Sequence, residues 1–115
     1  MEYSQAHILA RAIRDSEEYQ TYHSLRDEIK GDATTDALIK EYKKLQISLQ
    51  MATMSGQKPD DTDMQRFQGI SSLLFTKPEV SQYLLAEMRL QQALADIFKI
   101  LTDAADIDIQ MPDPS

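Results

Sequence analysis

Leu38-Ile39-Lys40-Glu41-Tyr42-Lys43-Lys44-Leu45-Gln46-Ile47-Ser48-Leu49-Gln50-Met51-Ala52 is the stretch that decides the fold class. Within it Leu38, Tyr42, Leu45, Leu49 and Ala52 advance by four, three, four and three residues, the repeat that keeps an apolar seam on one side of an α-helix. A strand would instead alternate apolar and polar side chains with period two. Ile39, Ile47, Met51 and Met54 broaden the apolar surface beyond a narrow two-helix seam, so this helix is expected to touch more than one neighbour.

Working outward, Gly31-Asp32 offers a C′ glycine followed by an N-cap, and Ser55-Gly56 closes the far end. Residues 57–63 then form a loop rich in candidate N-caps. Towards the N-terminus, Ala6, Leu9, Ala10 and Ile13 mark one face of a helix over Ser4–Arg14. Asp15 with Glu18 has the form of a capping box, and Ser16 is an alternative N-cap. Two arrangements fit: a new helix carrying Tyr19, Tyr22, Leu25 and Ile29, or one bent helix from Ser4 to Lys30. Towards the C-terminus, Met64, Phe67, Ile70, Leu73 and Leu74 define a shorter helix that Lys77-Pro78 stops, with Pro78 suited to the first position of the next. That last helix runs to about Ala104, with Tyr83, Glu87, Leu90, Leu94, Ile97, Leu101 and Ala104 in four- and three-residue steps.

These patterns predict an all-α antiparallel bundle of four to five helices, two of them long and heptad-patterned. One helical domain is expected over residues 1–105, because 115 residues suffice for a single core. Residues 106–115 read as an acidic C-terminal tail. There Ile107, Ile109 and Met111 alternate with Asp106, Asp108 and Gln110, the mark of an extended segment or of a solvated end.

Charge and cysteine usage narrow the function. Twelve Lys and Arg stand against 19 Asp and Glu, a net charge of -7. This disfavours the phosphate neutralisation on which nucleic-acid binding depends, so no direct nucleic-acid partner is expected. The basic residues are scattered, which also argues against a membrane surface. With no Cys, disulfides, thiolate nucleophiles, zinc fingers and Cys-ligated iron–sulfur clusters drop out together. The N-terminus lacks the pattern of a secretory signal and no 18-residue apolar run occurs, so the chain reads as cytoplasmic.

Catalytic motifs are absent: there is no glycine-rich phosphate loop, no G-x-S-x-G and no H-E-x-x-H. Catalytic, cofactor-binding and metal residues are therefore expected to be none. Neither His7 nor His23 has a Glu three residues before it, as a di-metal bundle would require. His23 shares a helical face with Tyr19 and Asp27, a placement that suits a structural histidine or a general base. Glu87 interrupts the last seam. It needs Arg11, Arg14 or a tyrosine hydroxyl as partner, or a place at the rim in water. Arg14 and Glu87 are accordingly the candidate structural polar residues.

Three stretches carry a family resemblance: Ala12-Ile13-Arg14-Asp15-Ser16-Glu17-Glu18-Tyr19, then Glu41 to Gln50 with Met54-Ser55-Gly56, then Pro78-Glu79-Val80-Ser81-Gln82-Tyr83-Leu84-Leu85-Ala86-Glu87. On these the chain resembles the YlbF/YmcA family of small bacterial helical proteins, and within it is similar to YheA-like members. The resemblance implies a self-associating helical protein that regulates development, competence or biofilm formation. It also brings in a complex, formed by some members, that modulates an RNA-degrading enzyme. Members of that complex are linked to Cys-held iron–sulfur clusters, which a chain without Cys cannot hold through thiolates.

The expected function is that of a non-enzymatic regulator or adaptor whose partners are a second copy of itself and another regulatory protein. The candidate interface is Leu38, Tyr42, Leu45, Leu49 and Met51 together with Leu90, Leu94, Ile97 and Leu101. Two alternatives stand beside it. One is a holdase-like chaperone using its methionine-rich helices; the other is an enzyme built on His23, Asp27 and Glu87.

Overall fold

The computed structural model describes residues 1–107, and the helices in it are α1 (Ser4–Arg14), α2 (Glu17–Lys30), α3 (Ala33–Met54), α4 (Asp61–Leu74) and α5 (Pro78–Ala105). Among the described residues there is no strand. None of the helices is long and apolar enough to cross a membrane. The extended segment expected around Ile109 and Met111 lies outside the described residues.

The first thirty residues form two helices, and Ser16 makes the break. Its hydroxyl accepts the Tyr19 N–H at 3.2 Å and donates to the Ile13 carbonyl at 2.6 Å, while the Gln20 side-chain amide donates to the Arg14 carbonyl at 2.7 Å. Of the two capping arrangements, the serine cap is the one formed. Arg11 and Arg14 occupy the last turn of α1 and Glu17 and Glu18 the first turn of α2, each at the helix end whose dipole favours its charge.

Gly31 corrects the C′ expectation, since it does not take a left-handed conformation. Its N–H reaches the carbonyls of Asp27 and Glu28 at 3.3 and 3.2 Å, and a Cβ there would lie 3.2 Å from the Glu28 oxygen. Crowding, not positive φ, favours glycine at this turn. The left-handed cap is found at the other end of α3. Gly56 has φ 74°, its N–H reaches the Thr53 carbonyl at 3.1 Å and the Gln57 N–H reaches Ala52 at 2.9 Å, closing a Schellman motif. α5 ends in the same way on a non-glycine residue. Asp106 has φ 53°, with Asp106 N–H on Asp103 and Ile107 N–H on Thr102.

The chain divides into two compact units, Asp27–Ser81 and a second that joins residues 1–26 to those from Gln82 onward. In the Asp27–Ser81 unit, Ile29, Ile39, Ile70, Leu74 and Val80 are buried. Tyr42 of α3 stacks on Phe67 of α4 with ring centroids 5.0 Å apart and meets the edge of Phe75 at 6.0 Å. An ion pair between exposed Arg66 of α4 and half-buried Glu41 of α3 also joins the two helices.

The same unit contains a polar knot. Thr35, only 2 % exposed, donates its hydroxyl to Asp32 at 2.7 Å and accepts from the Lys77 ammonium at 2.7 Å. Lys77 also lies 3.5 Å from the Asp32 carboxylate. Asp32 caps α3 by accepting the Thr35 N–H at 3.2 Å, and Lys77 is the residue before α5. The Thr35 bonds first, and then the lysine charge, hold the Asp32 carboxyl below its ordinary value. In the other unit Tyr83 and Ala86 are buried. α1 has no buried residue, and Leu9, Ala10 and Ile13 are half-buried.

Two stability predictions follow from these local devices. Thr35→Val keeps shape but leaves Asp32 and Lys77 each one bond short, so it should cost about 1–2 kcal/mol. The check is urea unfolding, in which the midpoint falls while the slope is unchanged. Asp106→Gly relieves the left-handed penalty at the end of α5 and should raise stability by about 0.5–1 kcal/mol. A thermal midpoint that does not rise would count against the cap.

Candidate interaction surfaces

α5 is a helix about 42 Å long. Its four- and three-residue steps place Tyr83, Ala86, Leu90, Leu94, Ile97 and Leu101 along one side. Burial changes along that line. Tyr83 and Ala86 are buried and Leu90 and Ile97 half-buried, whereas Leu94 is 40 % and Leu101 53 % exposed. Ile100 and Ile107 add further exposed apolar surface at the same end, and Asp96, Asp103 and Asp106 lie exposed among them.

The α3 candidates divide differently. Leu38, Tyr42, Leu45 and Leu49 are half-buried, and the rings that meet Tyr42 are Phe67 and Phe75 of the same chain. At Tyr42 this seam packs against α4. Met51 stays exposed, as do Ile47 and Met54. Ile39, one of the residues that broaden the apolar surface of α3, is buried.

Of the two structural polar candidates, Glu87 is half-buried and accepts the Tyr83 O–H at 3.3 Å, so the tyrosine-hydroxyl option is realised within α5 itself. Tyr83 stacks on Tyr22 of α2 with centroids 5.6 Å apart. Burial above all, then the Tyr22 hydrogen bond and the Glu87 charge, push the Tyr83 phenol well above its ordinary value of 10.0. Arg14 is exposed in the last turn of α1. Thr35 and Lys77, the polar residues that do most in the core, were not singled out from the sequence. Their one visible signal was position, at a helix's first turn and immediately before a proline.

The enzyme nominees meet other neighbours. His23 is half-buried with its ring 4.2 Å from Tyr19 and edge-on to Tyr22 at 5.4 Å, while Asp27 is exposed. Among the described residues no group of three or more His, Cys, Asp or Glu could hold a metal ion. An open groove of about 510 Å³ is lined by Gln20, Thr21, Ser24 and Leu25 of α2 with Gln82 and Arg89 of α5. It offers amides, hydroxyls and one guanidinium, groups that can hydrogen-bond a ligand.

Comparison with known proteins adds four findings. The model of the family described as "Control of competence regulator ComK, YlbF/YmcA" matches residues 3–105. A UPF0342 protein of Halothermothrix orenii is 35% identical over 107 residues, 93% of this chain and 91% of that protein. Another from Symbiobacterium thermophilum is 32% identical over 107 residues, covering 93% and 96%. A solved protein of unknown function (DUF964) from Bacillus stearothermophilus superposes with TM-score 0.70 at 18% identity, over 90% of this chain and 91% of that one, a likeness of fold.

The raised Tyr83 phenol gives a pH prediction. A group whose folded pKa is raised stabilises fully below its unfolded value and loses that contribution as pH climbs past it. Unfolding free energy should therefore fall above about pH 10, and more gently in Tyr83→Phe. Denaturant titrations of both proteins on the alkaline side would decide it, parallel slopes being the adverse result.

Proposed function

The chain belongs to the YlbF/YmcA family, and from that membership we propose that it is a cytoplasmic regulatory adaptor that acts by protein contacts and catalyses no reaction. It would serve a regulatory step such as competence, development or biofilm formation. The observation that carries this reading is the α5 seam, covered at Tyr83 and Ala86 and open at Leu94 and Leu101. Fully burying such a side chain is worth roughly 1.5–3 kcal/mol, so covering the 40 % and 53 % of Leu94 and Leu101 that stand exposed would favour association by about 1–3 kcal/mol per chain.

A second copy supplies that cover in this proposal, with closed two-fold symmetry as the common solution for soluble homo-oligomers. Nucleic acid is not a direct partner, given the net charge of -7. The holdase reading draws support from Met51, Met54, Met64 and Met88, all exposed. Crosslinked affinity purification from the native host separates the two: an adaptor retains one or two partners, whereas a holdase retains many and suppresses aggregation of unrelated proteins.

Sedimentation equilibrium tests the self-association. The expected mass exceeds the 13.1 kDa of one chain and falls to it in Leu94→Asp/Leu101→Asp. A wild-type mass of one chain that does not rise with concentration would overturn the proposal.

A further inference from the structure

α3 carries a second apolar face that its packing on α4 does not use. Ile47, Met51 and Met54 stand at i, i+4 and i+7, and at roughly 100° per residue they lie about half a turn round the helix from Leu45 and Leu49. They are 57 %, 64 % and 87 % exposed. Three large side chains in line over two turns make the size of footprint that an amphipathic helix covers, and two methionines allow that footprint to adapt.

The charge around this stripe differs from that of the rest of the chain. Between Glu41 and Asp60 there is no Asp or Glu, while Lys43, Lys44 and Lys58 fall within that interval. Lys44 and Lys58 are exposed, the first preceding the stripe in sequence and the second following it. A chain of net charge -7 thus presents a locally cationic apolar strip. Electrostatic complementarity there selects carboxylates and repels a lysine-flanked partner.

We propose that the outward face of α3 docks an amphipathic helix of a partner protein whose apolar stripe is flanked by carboxylates. This deepens the adaptor reading and rests on it, since it names the chemistry of the partner an adaptor would hold. The competing occupant is a second copy, because α5 itself combines exposed Leu94, Ile100 and Leu101 with Asp96 and Asp103.

The test uses two synthetic helical peptides with one leucine stripe, flanked by Glu in the first and by Lys in the second. Binding to the full chain is followed by fluorescence anisotropy at about 0.15 M salt, where screening over about 8 Å lets nearby lysines outweigh distant carboxylates. The Glu-flanked peptide should bind at least about tenfold tighter than the Lys-flanked one, and Met51→Glu should weaken it at least about tenfold while Met51→Leu retains it. Met51→Glu should sediment as the wild type does, and Leu94→Asp/Leu101→Asp should bind the Glu-flanked peptide unchanged whatever its own mass. That last arm separates this proposal from the self-association one. Equal binding of both peptides, no binding of the Glu-flanked peptide, or a lower mass for Met51→Glu would each overturn it, the last by giving the stripe to a second copy.

Discussion

Leu90, Leu94, Ile97 and Leu101 continue the line of Tyr83 and Ala86 along α5, but among the described residues burial is complete only at the start of that line: Leu90 and Ile97 are half-buried and Leu94 and Leu101 exposed. Apolar surface without cover is the constraint that governs this molecule. Hydrophobic stabilisation is proportional to the area removed from water, so a periodic seam contributes only over the length at which something lies on it. α1 illustrates the same limit: Leu9, Ala10 and Ile13 share a face, yet each stops at half-burial. The folded chain is accordingly strong where helices pair and open where they run on.

The helices themselves were legible before the structure. Periodicity placed α3, α4 and α5, and the breaker at Lys77-Pro78 and the cap at Gly56 fixed boundaries because their chemistry is local. The sequence left open whether the first thirty residues made one helix or two, and which of Asp15 and Ser16 would start the second; Ser16 does so, accepting the Tyr19 N–H. Gly31 misled for the opposite reason. A glycine after a helix fits both a left-handed residue and a crowded turn, and sequence spacing does not distinguish φ from space.

The interaction surfaces were legible in content but not in allocation. Tyr42, Leu45 and Leu49 were recognisable as a seam, yet a seam does not state whether its partner is α4 or another chain. Leu73 was grouped with Ile70 and Leu74 by spacing, but it points outward with 59 % of its surface exposed. Thr35 and Lys77 were invisible as a pair because the contact between them depends on tertiary structure and follows no short-range pattern. Glu87 was recognisable as an oddity, and one of the partners named for it, a tyrosine hydroxyl, proved to be on its own helix.

The Thr35–Lys77 bond joins residues 42 apart in the sequence, whereas the hydrogen bonds along a helix join residues about four apart. Helical turns form in well under a microsecond to a microsecond, and neighbouring helices meet after short loop closures. The bond between Lys77 and Thr35 must wait for a longer segment to close, and the entropy of that closure is spent before its hydrogen bonds form. A contact of this span is expected to form after the helical turns it joins. Weakening a contact absent from the folding transition state speeds opening and leaves the folding rate little changed.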